Sequence, residues 1–243
     1  MDKYDLTREQ NIFLAKKTIV ENIYNAIKLE GCNSTYFETE QILHGKNHGN
    51  VPLNEIQTIL NLKRAWGYAT GNVDHELNKE FVCEINNYVS QNESLDWGVI
   101  RYGVVGVRLI DGSTYEAPIP DEGMVSSKLN EIFKIENITE RALEYYTWGI
   151  KSQLFWDGNK RTSNIVANAI LISGGKGIIT IPEKDIEEFN QHLSDFYKTG
   201  KSEKVKEFFY EKCIKGLDID KELEKKHKLS RKKTVKIDND NEL

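Results

Sequence analysis

The stretch Gln153-Leu-Phe-Trp-Asp-Gly-Asn-Lys-Arg-Thr-Ser-Asn164 decides the fold, because it joins two apolar, periodic segments through one tight polar turn. Apolar residues recur at helical spacing over residues 138–154 and again over 165–172. A glycine in the turn permits a positive φ, and the free amides that open the next helix favour an anion. Lys160 and Arg161 in that first turn oppose the helix dipole unless an anion is bound. The turn therefore predicts a phosphate site between two helices.

The composition of the chain limits the class of protein to which it can belong. The chain has 243 residues, of which 39% are hydrophobic, so it is long enough to bury a sizeable core. A net charge of -5 argues against a general nucleic-acid binder, and we expect no nucleic-acid partner. No apolar run is long enough to span a bilayer and the first residues lack a signal-peptide pattern, so we expect a cytoplasmic protein without a membrane partner. Three widely spaced cysteines indicate reduced thiols.

The rest of the chain predicts a mainly α fold with one small hairpin. A β-branched, aromatic run over 97–110 and a return over 113–117 flank an Asp111-Gly112 turn signal. Residues 218–243 are almost wholly charged, which predicts a disordered tail; its basic run leaves open a patch for nucleic acid or acidic partners. The other predicted elements are helices over 7–31, 53–68, 78–90, 124–133 and 204–214, an extended segment over 178–181 and a helix opening at Pro182.

Six residues of the turn carry a resemblance to a known family: Phe155, Asp157, Gly158, Asn159, Lys160 and Arg161. They match the signature His-x-Phe-x-Asp/Glu-Gly-Asn-Gly/Lys-Arg-x-x-Arg, so the stretch resembles the Fic (Fido) family, whose members mostly transfer AMP from ATP to protein hydroxyls. Two positions depart from that signature, since Gln153 replaces the catalytic histidine and Asn164 the second arginine.

The resemblance implies a fold and a division of the chain. The fold would be a Fic/Fido helical domain with a small β-hairpin flap. It would fill residues 1–217 as a single domain, with N-terminal helices over 1–70 and the core over 71–217, followed by the charged tail over 218–243.

The resemblance also implies a nucleotide site with ATP as substrate. Gln153 would stand at the catalytic position, and Asp157 would hold Mg²⁺ through a hard carboxylate oxygen. The residues implied to contact the nucleotide are Gly158, Asn159, Lys160, Arg161 and Asn164. Helix capping alone would explain Asp-Gly-Asn, but not the two cations that follow.

Two further segments resemble working parts of the family. The hairpin is similar to the flap that holds a target segment by strand addition, which implies target-binding roles for Val107, Arg108 and Leu109. Alternatively, the ribbon serves only to connect helices. Ser34-x-x-x-Glu38 resembles an inhibitory motif, Ser/Thr-x-x-x-Glu-Gly/Asn, whose glutamate pairs with the second arginine. The alternative here is an ordinary capped turn with a solvated Glu38.

The residue at the catalytic position leaves the activity open. An amide has no protonation equilibrium near neutral pH, so a general-base contribution of roughly 10²- to 10⁴-fold would be missing. Three alternatives follow: a slow protein adenylyltransferase with a substitute base, a catalytically silent nucleotide-binding regulator or toxin-antitoxin module, and a phosphotransferase resembling Doc. The sequence identifies neither the protein target nor the oligomeric state, and an oligomer is compatible with it.

Overall fold

The computed structural model describes residues 2–46, 49–74 and 77–217, and it confirms a mainly α fold with small antiparallel strand pairs. The predicted tail over 218–243 lies outside the described residues. The helices are α1 (Arg8–Lys17), α2 (Ile19–Leu29), α3 (Tyr36–Leu43), α4 (Leu53–Gly71), α5 (Lys79–Val89), α6 (Glu122–Phe133), α7 (Ile138–Ser152), α8 (Asn159–Ser173), α9 (Ile186–Thr199) and α10 (Glu203–Phe208). The strands are β1 (Val105–Arg108), β2 (Thr114–Ala117), β3 (Ile178–Ile179) and β4 (Ile214–Lys215).

Helix α8 forms the centre of the molecule. Residues 165–172 are all buried, and α8 packs against α1, α4, α5 and α7. A helix that is apolar on every side has to be enclosed by others, which explains this central position. Asn168 is buried within it, but its amide exchanges two hydrogen bonds with the backbone of Ile179, at 2.8 and 2.9 Å. The start of α8, which carries the polar turn, is thereby fixed within the core.

The predicted first helix is two helices, because the chain bends at Thr18. This residue has φ −101° and ψ 12°, outside helical values, and its hydroxyl donates to the Leu14 carbonyl at 2.9 Å. A threonine side chain that bonds the preceding turn competes with the helical backbone and bends it. The chain is thus turned between α1 and α2, and the C-terminal end of α2 approaches the polar turn.

Two other predicted elements are shorter in the structure. The strand expected over 97–110 is reduced to β1, since Gly98 has a φ of 72° and lies against Asn87, and the chain up to residue 104 forms a loop. The helix expected over 204–214 ends as α10, followed by a wider π turn at Phe209–Cys213. There the chain leaves the helix to pair β4 with β3.

The hairpin of β1 and β2 is confirmed, with Val105 opposite Ala117 and a turn at Asp111 and Gly112. We call residues 103–118 the flap. Two-stranded hairpins are marginally stable alone, so the flap depends on what it packs against. Its tip is bound to α9 by an ion pair of 2.8 Å between Asp111 and Lys198. The ring of Tyr115 also packs on that of Tyr197 in α9, with centroids 4.8 Å apart.

Candidate functional site

A cavity of ≈520 Å³ opens beside the turn between α7 and α8, a size typical of small-molecule sites. The flap forms one wall and α9 another, while the end of α2 contributes Leu29 and Glu30. The lining residues from the polar turn are Gln153, Trp156, Asp157, Gly158, Asn159 and Lys160, and those from α9 are Asn190, Leu193, Ser194 and Tyr197.

The turn is held in one conformation by its own glycine and by its neighbours. Gly158 has φ 71°, and a Cβ atom there would lie 2.4 Å from the Ser90 Oγ, so no other residue fits without displacement. The carbonyl of Asp157 accepts hydrogen bonds from Asn86 at 3.1 Å and from Ser90 at 3.0 Å. The Asn159 side chain accepts from the Phe155 amide at 2.9 Å. The N-terminus of α8 is therefore preorganised at the cavity.

Gln153 ends α7 in a left-handed conformation, with φ 45° and ψ 58°. Its Nε2 donates to the Ile150 carbonyl at 2.7 Å and to the Tyr197 hydroxyl at 3.1 Å, while its Oε1 accepts from Asn159 at 3.1 Å. Both ends of the amide are thus occupied. The side chain links α7, α8 and α9. An amide takes up no proton near neutral pH, so Gln153 cannot serve as the base that removes a proton from the substrate.

Neither Tyr197 nor a described histidine supplies a substitute base beside Gln153. Burial raises the pKa of the Tyr197 phenol well above its usual range, so this hydroxyl stays protonated at neutral pH. Of the described histidines, His44 and His192, neither lines the cavity. His192 lies instead against Phe208, with its Nε2 3.7 Å from Glu188.

Arg161 is a buried cation enclosed by carboxylates, with a side chain only 5% exposed. Its Nη1 donates to Glu93 at 2.7 Å, its Nη2 lies 3.5 Å from Asp157, and its Nε lies 3.7 Å from Glu30. Burial alone would lower the pKa of Arg161, but these three carboxylates raise it above the ordinary value, so the side chain stays charged. The Nε has no hydrogen-bond partner among the described residues.

Glu30 lies at the cavity and was not among the site residues expected from the sequence. Its carboxylate lies 3.4 Å from the Lys160 Nζ and 3.7 Å from the Arg161 Nε, at the edge of the cavity. A signal was present: Glu30-Gly31 matches the Glu-Gly ending of the inhibitory signature, although Ala26 occupies its Ser/Thr position. Lys160 and Arg161 thus lie close to three carboxylates, those of Glu30, Glu93 and Asp157.

Ser34 and Glu38 lie outside the residues that line the cavity. Ser34 is buried and donates to Glu55, which also accepts from two backbone amides at 3.0 and 2.9 Å. Glu38 forms a capping box at the start of α3, where its carboxylate accepts from the Thr35 amide and hydroxyl, both at 2.8 Å. Of the two acidic residues, Glu30 lines the cavity, whereas Glu38 lies in the cap of α3.

The remaining expected site residues divide between the cavity and the core. Val107, Arg108 and Leu109 of the flap line the cavity. Asn164 does not, because its amide donates to the Tyr146 hydroxyl at 3.1 Å and to the Ile179 carbonyl at 3.2 Å, facing β3. Like Arg161, which is also absent from the cavity lining, it borders a separate space of ≈10 Å³.

Within residues 2–46, 49–74 and 77–217, no group of three histidine, cysteine or acidic side chains is placed to hold a metal ion. In the same ranges, no helix combines the length and the apolar character needed to cross a bilayer.

The chain is similar to known proteins in one region of sequence and across most of its fold. Residues 76–171 match the Fic/DOC family model, whereas no curated protein sequence gave a significant match. A Fic-domain-containing signaling protein from Bacteroides thetaiotaomicron is 23% identical, with a TM-score of 0.66 over 77% of this chain and 75% of that one.

Two other solved structures share the fold at lower identity. Fic-1 from C. elegans is 19% identical, with a TM-score of 0.69 over 81% of this chain and 60% of that one. A Fic family protein from Desulfovibrio desulfuricans is 15% identical, with a TM-score of 0.62 over 83% and 62%. The chain thus spans less than two thirds of these two proteins. Residues 76–171 thus match the Fic/DOC family model, and the chain has the fold of solved Fic-domain proteins.

Proposed function

We propose that this chain binds a nucleoside triphosphate, ATP by family resemblance, in the cavity beside the turn between α7 and α8. The observation that carries the proposal is the rigid Asp157–Asn159 turn, which presents the N-terminus of α8 to a cavity of ≈520 Å³. Backbone amides and the helix dipole favour anions at such an end, and Lys160 adds a cation at the same place. The ligand would lie between this turn and the flap.

Transfer of AMP from ATP to a protein hydroxyl is the chemistry that we propose for this domain, at a rate reduced by the residue at position 153. The reaction needs a group that takes the hydroxyl proton, and the Gln153 amide already uses both its donor and its acceptor within the core. The alternative is a silent nucleotide-binding regulator, and the full occupancy of that amide favours it. A Doc-like phosphotransferase would lack the same base.

A magnesium ion fits this site only together with nucleotide phosphates. Asp157 is the candidate ligand because its side chain is 51% exposed and lies at the cavity. Mg²⁺ is commonly held by one or two carboxylates and the phosphates of a bound nucleotide, which matches a single exposed aspartate. Three carboxylates lie around Arg161 and would repel the phosphates of a nucleotide. The ion would neutralise part of the phosphate charge there.

Isothermal titration and transfer of label from α-labelled ATP test the proposal in two steps. We expect ATP with Mg²⁺ to bind the wild-type chain, and Asp157→Ala to weaken the Mg²⁺-dependent part. Label transferred to protein from a cell lysate by the wild-type chain, and lost in Asp157→Ala, would support a slow transferase and exclude the silent regulator. Absence of binding at millimolar ATP would reject the nucleotide site altogether.

Glu30→Gln should increase the affinity for ATP about tenfold, because it removes the negative charge that lies against Lys160 and Arg161. Titration calorimetry of the two proteins under the same Mg²⁺ and salt conditions measures the difference. This prediction places the inhibitory role, expected from the family at Glu38, on Glu30.

Glu38→Gln is the matched control, since it makes the same substitution in the capping box of α3. We expect it to leave the ATP affinity unchanged. An increase in affinity with Glu38→Gln and none with Glu30→Gln would contradict the assignment.

A further inference from the structure

Arg101 is a buried cation at the foot of the flap, only 1% exposed. Its guanidinium donates to four backbone carbonyls: its Nε to Gln153, its Nη1 to Gly103, and its Nη2 to Ala117, at 3.2 Å, and to Pro118. These carbonyls belong to the entry of the flap, to its exit and to Gln153, the first residue of the polar turn. One side chain therefore joins both ends of the flap to the opposite wall of the cavity.

Burying the charged guanidinium of Arg101 costs free energy unless other groups compensate it. No carboxylate among the described residues forms an ion pair with Arg101, and burial lowers the pKa of its guanidinium. An ionised group taken out of water needs compensating partners, and here the partners are carbonyl dipoles alone. A side chain that only filled space at this position would need no charge.

Two backbone contacts place the foot of the flap against the same turn. The Arg101 amide donates to the Leu154 carbonyl at 2.9 Å. A Cβ atom on Gly103 would come within 2.4 Å of the Trp156 ring, so the flap entry lies against that indole. The flap is thus close enough to the turn for the guanidinium to reach both.

We propose that Arg101 is a positioning residue that fixes the flap against the Gln153 turn and so sets the width of the cavity. The cavity is lined by residues 105–110 on the flap side and by turn residues on the other, and both sides meet at this guanidinium. Because a two-stranded hairpin is marginal by itself, loss of the anchor should loosen the flap before the rest of the fold. The consequence for ATP affinity rests on the proposed nucleotide site, whereas the consequence for the flap does not.

Hydrogen–deuterium exchange of the full chain tests the proposal with Arg101→Lys and Arg101→Gln. A lysine keeps the charge and a glutamine keeps donors, but neither reaches four carbonyls in three directions. We expect the amides of β1 and β2 to exchange about tenfold faster and the dissociation constant for ATP to rise about tenfold, with the exchange of α7 and α8 unchanged. Arg141→Lys is the matched control, since Arg141 also donates to a carbonyl, that of Ile135 at 2.7 Å, outside the cavity lining.

Three results would overturn the proposal: unchanged exchange in the flap, equal acceleration throughout the chain, or the same flap effect in Arg141→Lys. If neither Arg101 variant folds, the Nε proton of Arg101 is followed by NMR in the wild-type chain. Protection matching that of the flap amides would support the anchor, and an unprotected proton would overturn it. If the wild-type chain does not bind ATP, the proposed function fails while the exchange measurements still decide the role of Arg101.

Discussion

Gln153→His should raise the transfer of AMP to protein by about 10²- to 10⁴-fold over the wild-type chain. An imidazole titrates near neutral pH, and one ring nitrogen can donate to the Ile150 carbonyl where the Gln153 amide now donates, leaving the other to accept a proton. The hydrogen bonds from Asn86 and Ser90 that hold the Asp157 carbonyl do not involve Gln153, so they are kept in the variant. Incorporation of α-labelled ATP into lysate proteins measures the gain.

Gln153→Asn serves as the control, because it keeps the amide and supplies no base. We expect it to show no gain in transfer. The double variant Gln153→His with Asp157→Ala should lose the gain, since the proposed metal ligand is removed. If Gln153→His binds ATP as tightly as the wild-type chain and still transfers nothing, the missing base is not the deficiency, and the silent regulator becomes the better description.

Arg161→Met should destabilise the chain by about 3–5 kcal/mol and abolish ATP binding. The guanidinium is 5% exposed and bonds Glu93, itself 14% exposed, so its removal leaves a buried carboxylate without its cation. It also removes the cation next to Glu30 and Asp157. Urea denaturation gives the change in the free energy of unfolding, and calorimetry gives the loss of binding.

Two comparisons separate the stability effect from the binding effect. Adding Glu93→Gln to Arg161→Met should recover part of the stability without recovering ATP binding, which a double-mutant cycle quantifies. Lys79→Met, which breaks an exposed ion pair of 2.8 Å with Glu122, should cost less than about 1 kcal/mol. If Arg161→Met also lowers the free energy of unfolding by less than about 1 kcal/mol, the buried cluster around Arg161 does not stabilise the fold.

Local patterns predicted the elements that are set by short stretches of chain. The periodicity of residues 138–154 and 165–172 corresponds to α7 and α8, and the Asp111-Gly112 signal corresponds to the turn of the flap. The pattern did not reveal the bend at Thr18, where a hydroxyl bonds the preceding turn. Nor did it reveal the π turn after α10, where pairing of β4 with β3 ends the helix.

Glu30 and Glu38 show what a motif match alone leaves undecided about the site. Ser34-x-x-x-Glu38 fits the spacing of the signature, but Glu38 is used by Thr35 as a helix cap. Glu30 fits only the Glu-Gly ending, yet the bend between α1 and α2 brings the end of α2 to Lys160. Spacing along the chain could not distinguish the two, because the distinction depends on where α2 and α3 pack.

The sequence by itself determined the helical fold and the polar turn, since a glycine with a required positive φ and apolar periodicity act over a few residues. The tertiary structure alone decided which groups surround that turn. Glu30, Glu93 and Arg101 reach it from distant segments, and Gln153 has its amide occupied by α8 and α9. Apart from the contact between Gln153 and Asn159, these contacts join segments far apart in the chain, and their partners are fixed only when the helices pack around α8.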